Sequence, residues 1–225
     1  MDRPAPLAAR YLKDPDAIYR ASFAAIREAA PIDRFPAAVQ PLAVRLIHAS
    51  GMPNILDDLG FSEGAPQAGA EALAAGKPIL VDATMVAAGI TRRWLQAGNE
   101  VICTLNDEKT PHLAKTLKTT RSAAAVDLWQ QHLEGAVVAI GNAPTALFRL
   151  LELLEEGAPK PAVVLGFPVG FVGAVESKEA LIEHAGGIPY VTLRGRRGGS
   201  AMASAAVNAL ALSPSGDQAE TGAPG

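Results

Sequence analysis

From Gly76 onward the sequence alternates between two patterns, and that alternation restricts the fold more than any other feature. Five short apolar or β-branched runs lie at 78–83, 100–105, 136–141, 162–167 and 189–194. Helical stretches at 84–96, 111–132, 144–156 and 177–184 separate them, and a last helix follows Ser200 and fades near Leu212. Strands interleaved with helices pair in parallel, because each crossover returns the chain to the same end of the sheet while the helices cover both faces. The expectation is an α/β fold: three layers, α/β/α, around a mainly parallel five-stranded sheet. The stretch after Pro144 shows the packing logic, with Leu147, Leu150, Leu151 and Leu154 on one stripe and Gly157 as the stop.

Helices precede the sheet. Asp14-Pro15 reads as an N-cap followed by proline at the first helical position, and Ile18, Ser22, Phe23 and Ile26 then recur at helical spacing. A second helix is expected from near Pro36 through Leu42, Leu46 and Ile47 to Ser50, with Gly51 ending it. Residues 52–70 read as a loose connection, and a short helix follows at 71–75. Together these segments make residues 1–212 one domain with an N-terminal helical extension. The tail, 213–225, is too polar and too rich in glycine and proline to pack, so disorder is expected there.

Charge and cysteine content exclude several functions. Among 225 residues, 20 Lys plus Arg face 23 Asp plus Glu, a net charge of −3 with no basic surplus for nucleic-acid phosphates. Apolar runs of about six residues are too short to cross a bilayer. Met1-Asp2-Arg3-Pro4 lacks the basic-then-apolar order of a signal peptide, which points to the cytoplasm. A single cysteine, Cys103, allows no internal disulfide and reads as a small buried hydrophobe in its strand. No Cys/His cluster suggests a metal.

Ligands of parallel sheets bind beyond the carboxyl ends of the strands. Here those ends run into Gly141-Asn142-Ala143-Pro144-Thr145, into Gly166-Phe167-Pro168-Val169-Gly170-Phe171-Val172-Gly173, and into Gly195-Arg196-Arg197-Gly198-Gly199-Ser200. Glycines there admit a ligand to the backbone and expose helix N-termini to anions; tight turns needing positive φ are the other reading. The first strand ends in Asp82-Ala83-Thr84-Met85, without a dinucleotide fingerprint or P-loop, so no nucleotide or nicotinamide cofactor is expected.

His112, His132 and His184 read as solvated on helix surfaces. His48 stands three residues after Arg45 on an otherwise apolar helix, so the two share a face. Spacing alone leaves it either a structural histidine or a proton shuttle. Ser22 lies in an apolar stripe, where a hydroxyl commonly bonds back to its own helix. Arg121 opens a helix against the dipole, a cost that an anionic ligand would offset; an arginine reaching away over the surface is the alternative.

Ordered motifs then add a resemblance. The segments Val44-Arg45-Leu46-Ile47-His48-Ala49-Ser50-Gly51, Ala97-Gly98-Asn99-Glu100-Val101-Ile102-Cys103 and Thr120-Arg121-Ser122-Ala123-Ala124 resemble the precorrin-8X methylmutase (precorrin isomerase) family of cobalamin biosynthesis. So do the segments 139–147 and 168–178, and Gly198-Gly199-Ser200-Ala201-Met202, so that the likeness covers about residues 11–212. The resemblance implies a methyl shift from ring carbon 11 to carbon 12 of precorrin-8X, giving hydrogenobyrinate without redox partner, methyl donor or cofactor. It implies His48 as the proton-exchanging residue and Ser22, Arg45 and Arg121 as substrate contacts. Asn142, Thr145 and Ser200 at the loop ends complete the expected binding set, with Phe167 and Phe171 suited to the macrocycle. A homodimer with its pocket at or near the interface is also implied, with transient hand-over to neighbouring pathway enzymes. The same shift on cobalt-precorrin-8, and a non-catalytic corrinoid carrier, are the alternatives.

Overall fold

The computed structural model of the protein describes residues 11–213, so the expectation for the tail beyond Ser213 falls outside the described residues. Six strands form one sheet: β1 (Leu59–Phe61), β2 (Ile79–Val81), β3 (Val101–Ile102), β4 (Val137–Ile140), β5 (Val163–Gly166) and β6 (Tyr190–Leu193). Their spatial order is β1-β6-β5-β4-β2-β3. The five expected strands are all present and pair in parallel, Val137 lying opposite Ile79 on one side and Val163 on the other. The sixth is an addition. Strand β1 lies inside the expected connection and pairs antiparallel with β6, Leu59 opposite Leu193.

Alternating side chains divide the sheet between two helical layers, as the twofold period of a strand requires. Ile79, Val81, Val137, Ala139, Val163 and Leu165 enter one core, which helices α2 (Gln40–Ser50), α3 (Ala65–Ala74), α4 (Thr84–Gly89) and α9 (Ser200–Leu212) help to fill. Leu80, Val138, Ile140 and Val164 enter the other, with α6 (Arg121–Asp127), α7 (Pro144–Glu155) and α8 (Ala174–His184). Helix α5 (Thr110–Thr116) packs against α6, and α1 (Pro15–Ala29) against α2. The caps fall where the sequence puts them. The Asp14 carboxylate accepts from the Ala17 N–H at 3.0 Å, and Gly51 ends α2 in the left-handed conformation.

Several boundaries differ, each for a physical reason. The expected helix 111–132 is broken into α5 and α6 at Lys118, a non-glycine residue with φ 50°. The stretch 84–96 stops at Gly89, because Asn208 on α9 takes over the exposed backbone beyond it: its amide donates to the Gly89 carbonyl and accepts from the Thr91 N–H, both at 2.9 Å. A 3₁₀ turn, Arg92–Trp94, follows. Helix α2 begins at Gln40 rather than near Pro36, and α3 at Ala65 rather than 71. Cys103 lies just past β3 and is half-buried against the first core rather than fully enclosed.

Candidate active site

Helix α2 buries Leu42, Ala43, Val44, Leu46 and Ile47, so Arg45 and His48 emerge together toward α1 and α4. Helix α1 lays Tyr19, Ser22 and Phe23 over that face. The Ser22 hydroxyl sits 3.0 Å from His48 Nδ1. It therefore crosses to another helix and does not bond back to its own. The Phe23 ring meets the imidazole edge-on, with centroids 5.4 Å apart. Burial, then the positive charge of Arg45, holds the His48 pKa below the ordinary 6.5, so the ring is neutral at neutral pH. With Nδ1 occupied by Ser22, a neutral imidazole presents Nε2 for giving or taking a proton.

Arg45 is unusual in its company. Its guanidinium carbon lies 5.0 Å from the Trp94 ring centroid, 5.6 Å from Phe23 and 5.7 Å from Tyr19. Among the described residues no carboxylate stands within ion-pair distance of it. Burial is the main influence on it and pulls its pKa below the usual arginine value. A half-buried guanidinium without a carboxylate is a charge waiting for one, since a buried ion is stable only when paired.

The cleft beside these groups has a volume of about 590 Å³. Tyr19, Met85 and Trp94 give it apolar walls, and α9 supplies Ser200, Ser204 and Asn208 at i, i+4 and i+8 along one face. The Ser200 hydroxyl is buried without a hydrogen-bond partner. Of the residues singled out in the sequence, Arg45, His48 and Ser200 line this cleft, and Ser22 joins them through His48. The other three stand apart from the cleft lining. Arg121 reaches back over its own neighbourhood to the Leu105 carbonyl at 2.9 Å and Asn106 Oδ1 at 3.0 Å. Thr145 Oγ1 is 2.8 Å from Thr120 Oγ1, the N-cap of α6. Asn142 is held through its backbone N–H, which donates to Asp82.

Strand order reverses between β2 and β4, which makes the gap at their carboxyl ends the usual ligand crevice of such a sheet. Here a side chain fills it. Asp82, 1% exposed, accepts the backbone N–H groups of Gly141, Asn142 and Ala143 at 2.9, 2.9 and 2.7 Å. Gly141 is needed for closeness: a Cβ there would stand 2.8 Å from Ser200 Cα. The aromatic expectation also changes. Phe167 is fully buried in the core and Phe171 is 86% exposed, whereas Trp94, Tyr19 and Met85 flank the cleft. The sequence signal for α9 was available: Ser200, Ser204 and Asn208 form a polar stripe on an otherwise apolar helix. Of the solvated histidines, His112 and His184 are exposed and His132 is half-buried beside Gln131.

The loop that delivers Ser200 is tied down by a buried lysine. Lys178 Nζ donates to the Arg197 carbonyl at 2.8 Å, while the Arg197 guanidinium pairs with Asp58. A Cβ on Gly198 would meet the Phe167 carbonyl oxygen at 2.4 Å, so only glycine fits. Burial pushes the Lys178 pKa down to about 8 from 10.5, against the opposing charge of Asp58. Between those two values the unfolded chain binds more protons than the folded one, so stability should rise with pH through that window. Denaturant unfolding at pH 7.5 and pH 10 measures this, and Lys178→Met should remove the rise.

A mainly parallel α/β sheet whose leading helices hold an arginine without a carboxylate partner and a neutral histidine over an apolar cleft is suited to an anionic ligand with an apolar body. Comparison with known proteins specifies the class. The sequence profile described as precorrin-8X methylmutase matches residues 17–213. A precorrin-8X methylmutase of Pseudomonas aeruginosa is 63% identical over 201 residues, covering 89% of this chain and 97% of its own. One from Sinorhizobium is 57% identical, covering 89% and 96%. A cobalt-precorrin-8 methylmutase of Salmonella typhimurium is 40% identical, with 89% and 96% covered. A solved structure of the precorrin-8X methyl mutase from Thermus thermophilus superposes with a TM-score of 0.79 at 40% identity, over 87% of this chain and 94% of that one. The chain belongs to the precorrin-8X methylmutase family. It is an isomerase, a methylmutase of corrin biosynthesis.

Proposed function

We propose that this enzyme moves the methyl group of precorrin-8X from ring carbon 11 to carbon 12, giving hydrogenobyrinate, in the cytoplasm. His48 exchanges the proton, Ser22 orients it, and Arg45 and Ser200 receive substrate carboxylates or polar edges. The observation that carries this reading is the Arg45–His48 pair at one cleft, the guanidinium lacking a carboxylate and the imidazole neutral and tied at Nδ1. Precorrin-8X is a macrocycle bearing several carboxylates, so it offers both the anion that Arg45 lacks and the apolar body that Trp94, Tyr19 and Met85 suit. An intramolecular shift needs held geometry and one placed proton more than it needs a reactive cofactor. The metal-free substrate is favoured over its cobalt form by the higher identities to relatives named for it. Incubating the pure protein with precorrin-8X alone, and following absorbance, tests the reading. Conversion to hydrogenobyrinate is expected; binding without conversion would make the protein a carrier, and a requirement for added nucleotide would overturn the assignment.

The pH profile gives a second check. The acid limb of kcat/KM reports the free enzyme's essential base, so it should fall below the ordinary histidine value of 6.5. Arg45→Ala removes one of the two causes of that depression, so the limb should move to higher pH. A limb that stays in place would dissociate His48 from the titration.

The enzyme works as a homodimer that covers the cleft. Phe171 and Val172, 86% and 89% exposed in the loop after β5, and Met85 at the cleft mouth leave apolar surface for a second copy. A cleft of this size holds a drug-sized ligand, and a carboxylated macrocycle extends past it. Isologous pairing is the commonest way to close such a site. Sedimentation of the pure protein should give a dimer mass, and Phe171→Asp should shift it toward the monomer. A monomeric wild type at working concentration sinks this part of the proposal.

A further inference from the structure

We propose that Trp94 is the positioning residue for Arg45, its indole face holding the guanidinium at the cleft while no carboxylate is bound. The inference rests on the reading of Arg45 as a substrate-carboxylate receptor. An arginine without an acidic partner has many rotamers and strong reasons to swing into water, so something must fix it before substrate arrives. Of the three rings around it, Trp94 is nearest at 5.0 Å, and tryptophan is the strongest aromatic partner for a cation.

The turn that carries Trp94 is itself held by α9. Asn208 on α9 grips the Gly89 carbonyl and the Thr91 N–H, and the backbone N–H of Trp94 donates to the Thr91 carbonyl at 3.0 Å. A cleft-lining residue of α9 is thus connected through one 3₁₀ turn to the ring that faces Arg45. The indole Nε1 is buried and makes no hydrogen bond. Filling space alone would favour phenylalanine, which carries no stranded donor. The other tryptophan supplies the contrast: Trp129, fully buried, donates its Nε1 to Thr104 Oγ1 at 3.0 Å, as a structural indole should. At Trp94 the side chain retains the electron-rich indole face where the cation lies.

Three variants test the assignment, Trp94→Phe, Trp94→Leu and Arg45→Ala, with hydrogenobyrinate as the titrated ligand and precorrin-8X for turnover. Trp94→Leu should weaken binding and raise KM about 3–30-fold, the range expected for a partly desolvated cation–ring contact. Its kcat should change little, because His48 and Ser22 are untouched. Trp94→Phe keeps a ring face and should stay within about threefold of wild type. The double variant Arg45→Ala/Trp94→Leu should bind within about twofold of Arg45→Ala, since leucine keeps an apolar wall and the larger part of the Trp94 effect runs through Arg45. Full additivity, or Phe behaving as badly as Leu, would overturn the proposal, the second outcome by assigning the effect to the N–H. If Arg45→Ala weakens binding and Trp94→Leu does not, only the positioning role fails. If neither changes binding, the carboxylate reading of Arg45 fails with it. Melting temperatures of the single variants guard against loss of fold; should Trp94→Leu unfold, Trp94→Phe and Trp94→Met carry the same comparison.

Discussion

His48→Ala should fold as the wild type does and lose most of its turnover. The side chain projects from the exposed face of α2, away from the buried residues that anchor the helix, and alanine preserves helix propensity. Binding should survive, because Arg45 and the walls of the cleft remain. A placed general acid or base contributes about 10²–10⁴-fold, so steady-state rates should drop by that factor while product affinity stays within a few-fold. Ser22→Ala is the informative companion. It keeps the imidazole but removes the contact at Nδ1, so kcat should fall less than in His48→Ala, with the ring free to turn. Wild-type turnover in His48→Ala would make the histidine a structural neighbour of Arg45 and nothing more.

What the sequence could show of this site follows from distance along the chain. Arg45 and His48 are three residues apart on one helix, so their shared face is a local fact and legible at once. Ser22 and His48 are 26 residues apart, and the bond between them depends on how α1 packs on α2. Local rules favoured a bond from Ser22 to its own helix; tertiary packing prevailed. The parallel strands announced themselves because β2, β4 and β5 are continuous runs buried on both faces, while β3 and β6 are β-branched runs with half-buried members. Strand β1 did not, being three residues with glycine at its centre, formed by pairing with β6 more than a hundred residues later. Trp94 was hidden by a helix expected to continue to 96. Gly89 ends that helix where α4 crosses α9, and a Cβ at Gly89 would stand 2.4 Å from Ser204 Oγ. The aromatic residues named from the sequence, Phe167 and Phe171, lie respectively in the core and on the exposed surface. Glycine loops lie at the edge of the sheet that Met85 and Ser200 share with the cleft, whereas Arg45 and His48 reach it from a helix that precedes the sheet.

Asp82→Ala should be the most damaging single substitution to stability outside the apolar core. Nothing in the sequence around Asp82-Ala83-Thr84-Met85 indicated that its carboxylate would accept three consecutive backbone N–H groups some 60 residues away. Alanine removes both acceptor oxygens, and with them all three bonds, and strands the N–H groups of the 141–143 turn at the gap between β2 and β4. A bond to a charged group is worth about 1.5–3 kcal/mol and a stranded buried donor costs about 1–3 kcal/mol, so a total loss of about 3–5 kcal/mol is expected once some relaxation is allowed. For a chain of this size that lowers Tm by about 6–20 °C. Asp82→Asn should recover only part of the loss. Its one carbonyl oxygen can still accept, but its amide would point N–H at N–H. The titration adds an independent sign. Burial raises the Asp82 carboxyl above the ordinary 3.8 although the three amides oppose it. The folded protein therefore holds that proton more tightly than the unfolded chain, and this group's contribution to stability falls as pH rises through the acid window above 3.8. Asp82→Ala should lack that contribution. Function should suffer together with stability, because the turn held by Asp82 packs through Gly141 against Ser200 and sets where α9 begins at the cleft. A variant that melts within 2 °C of wild type, by differential scanning calorimetry at neutral pH, would show that the carboxylate is not what closes the crevice at the strand-order reversal.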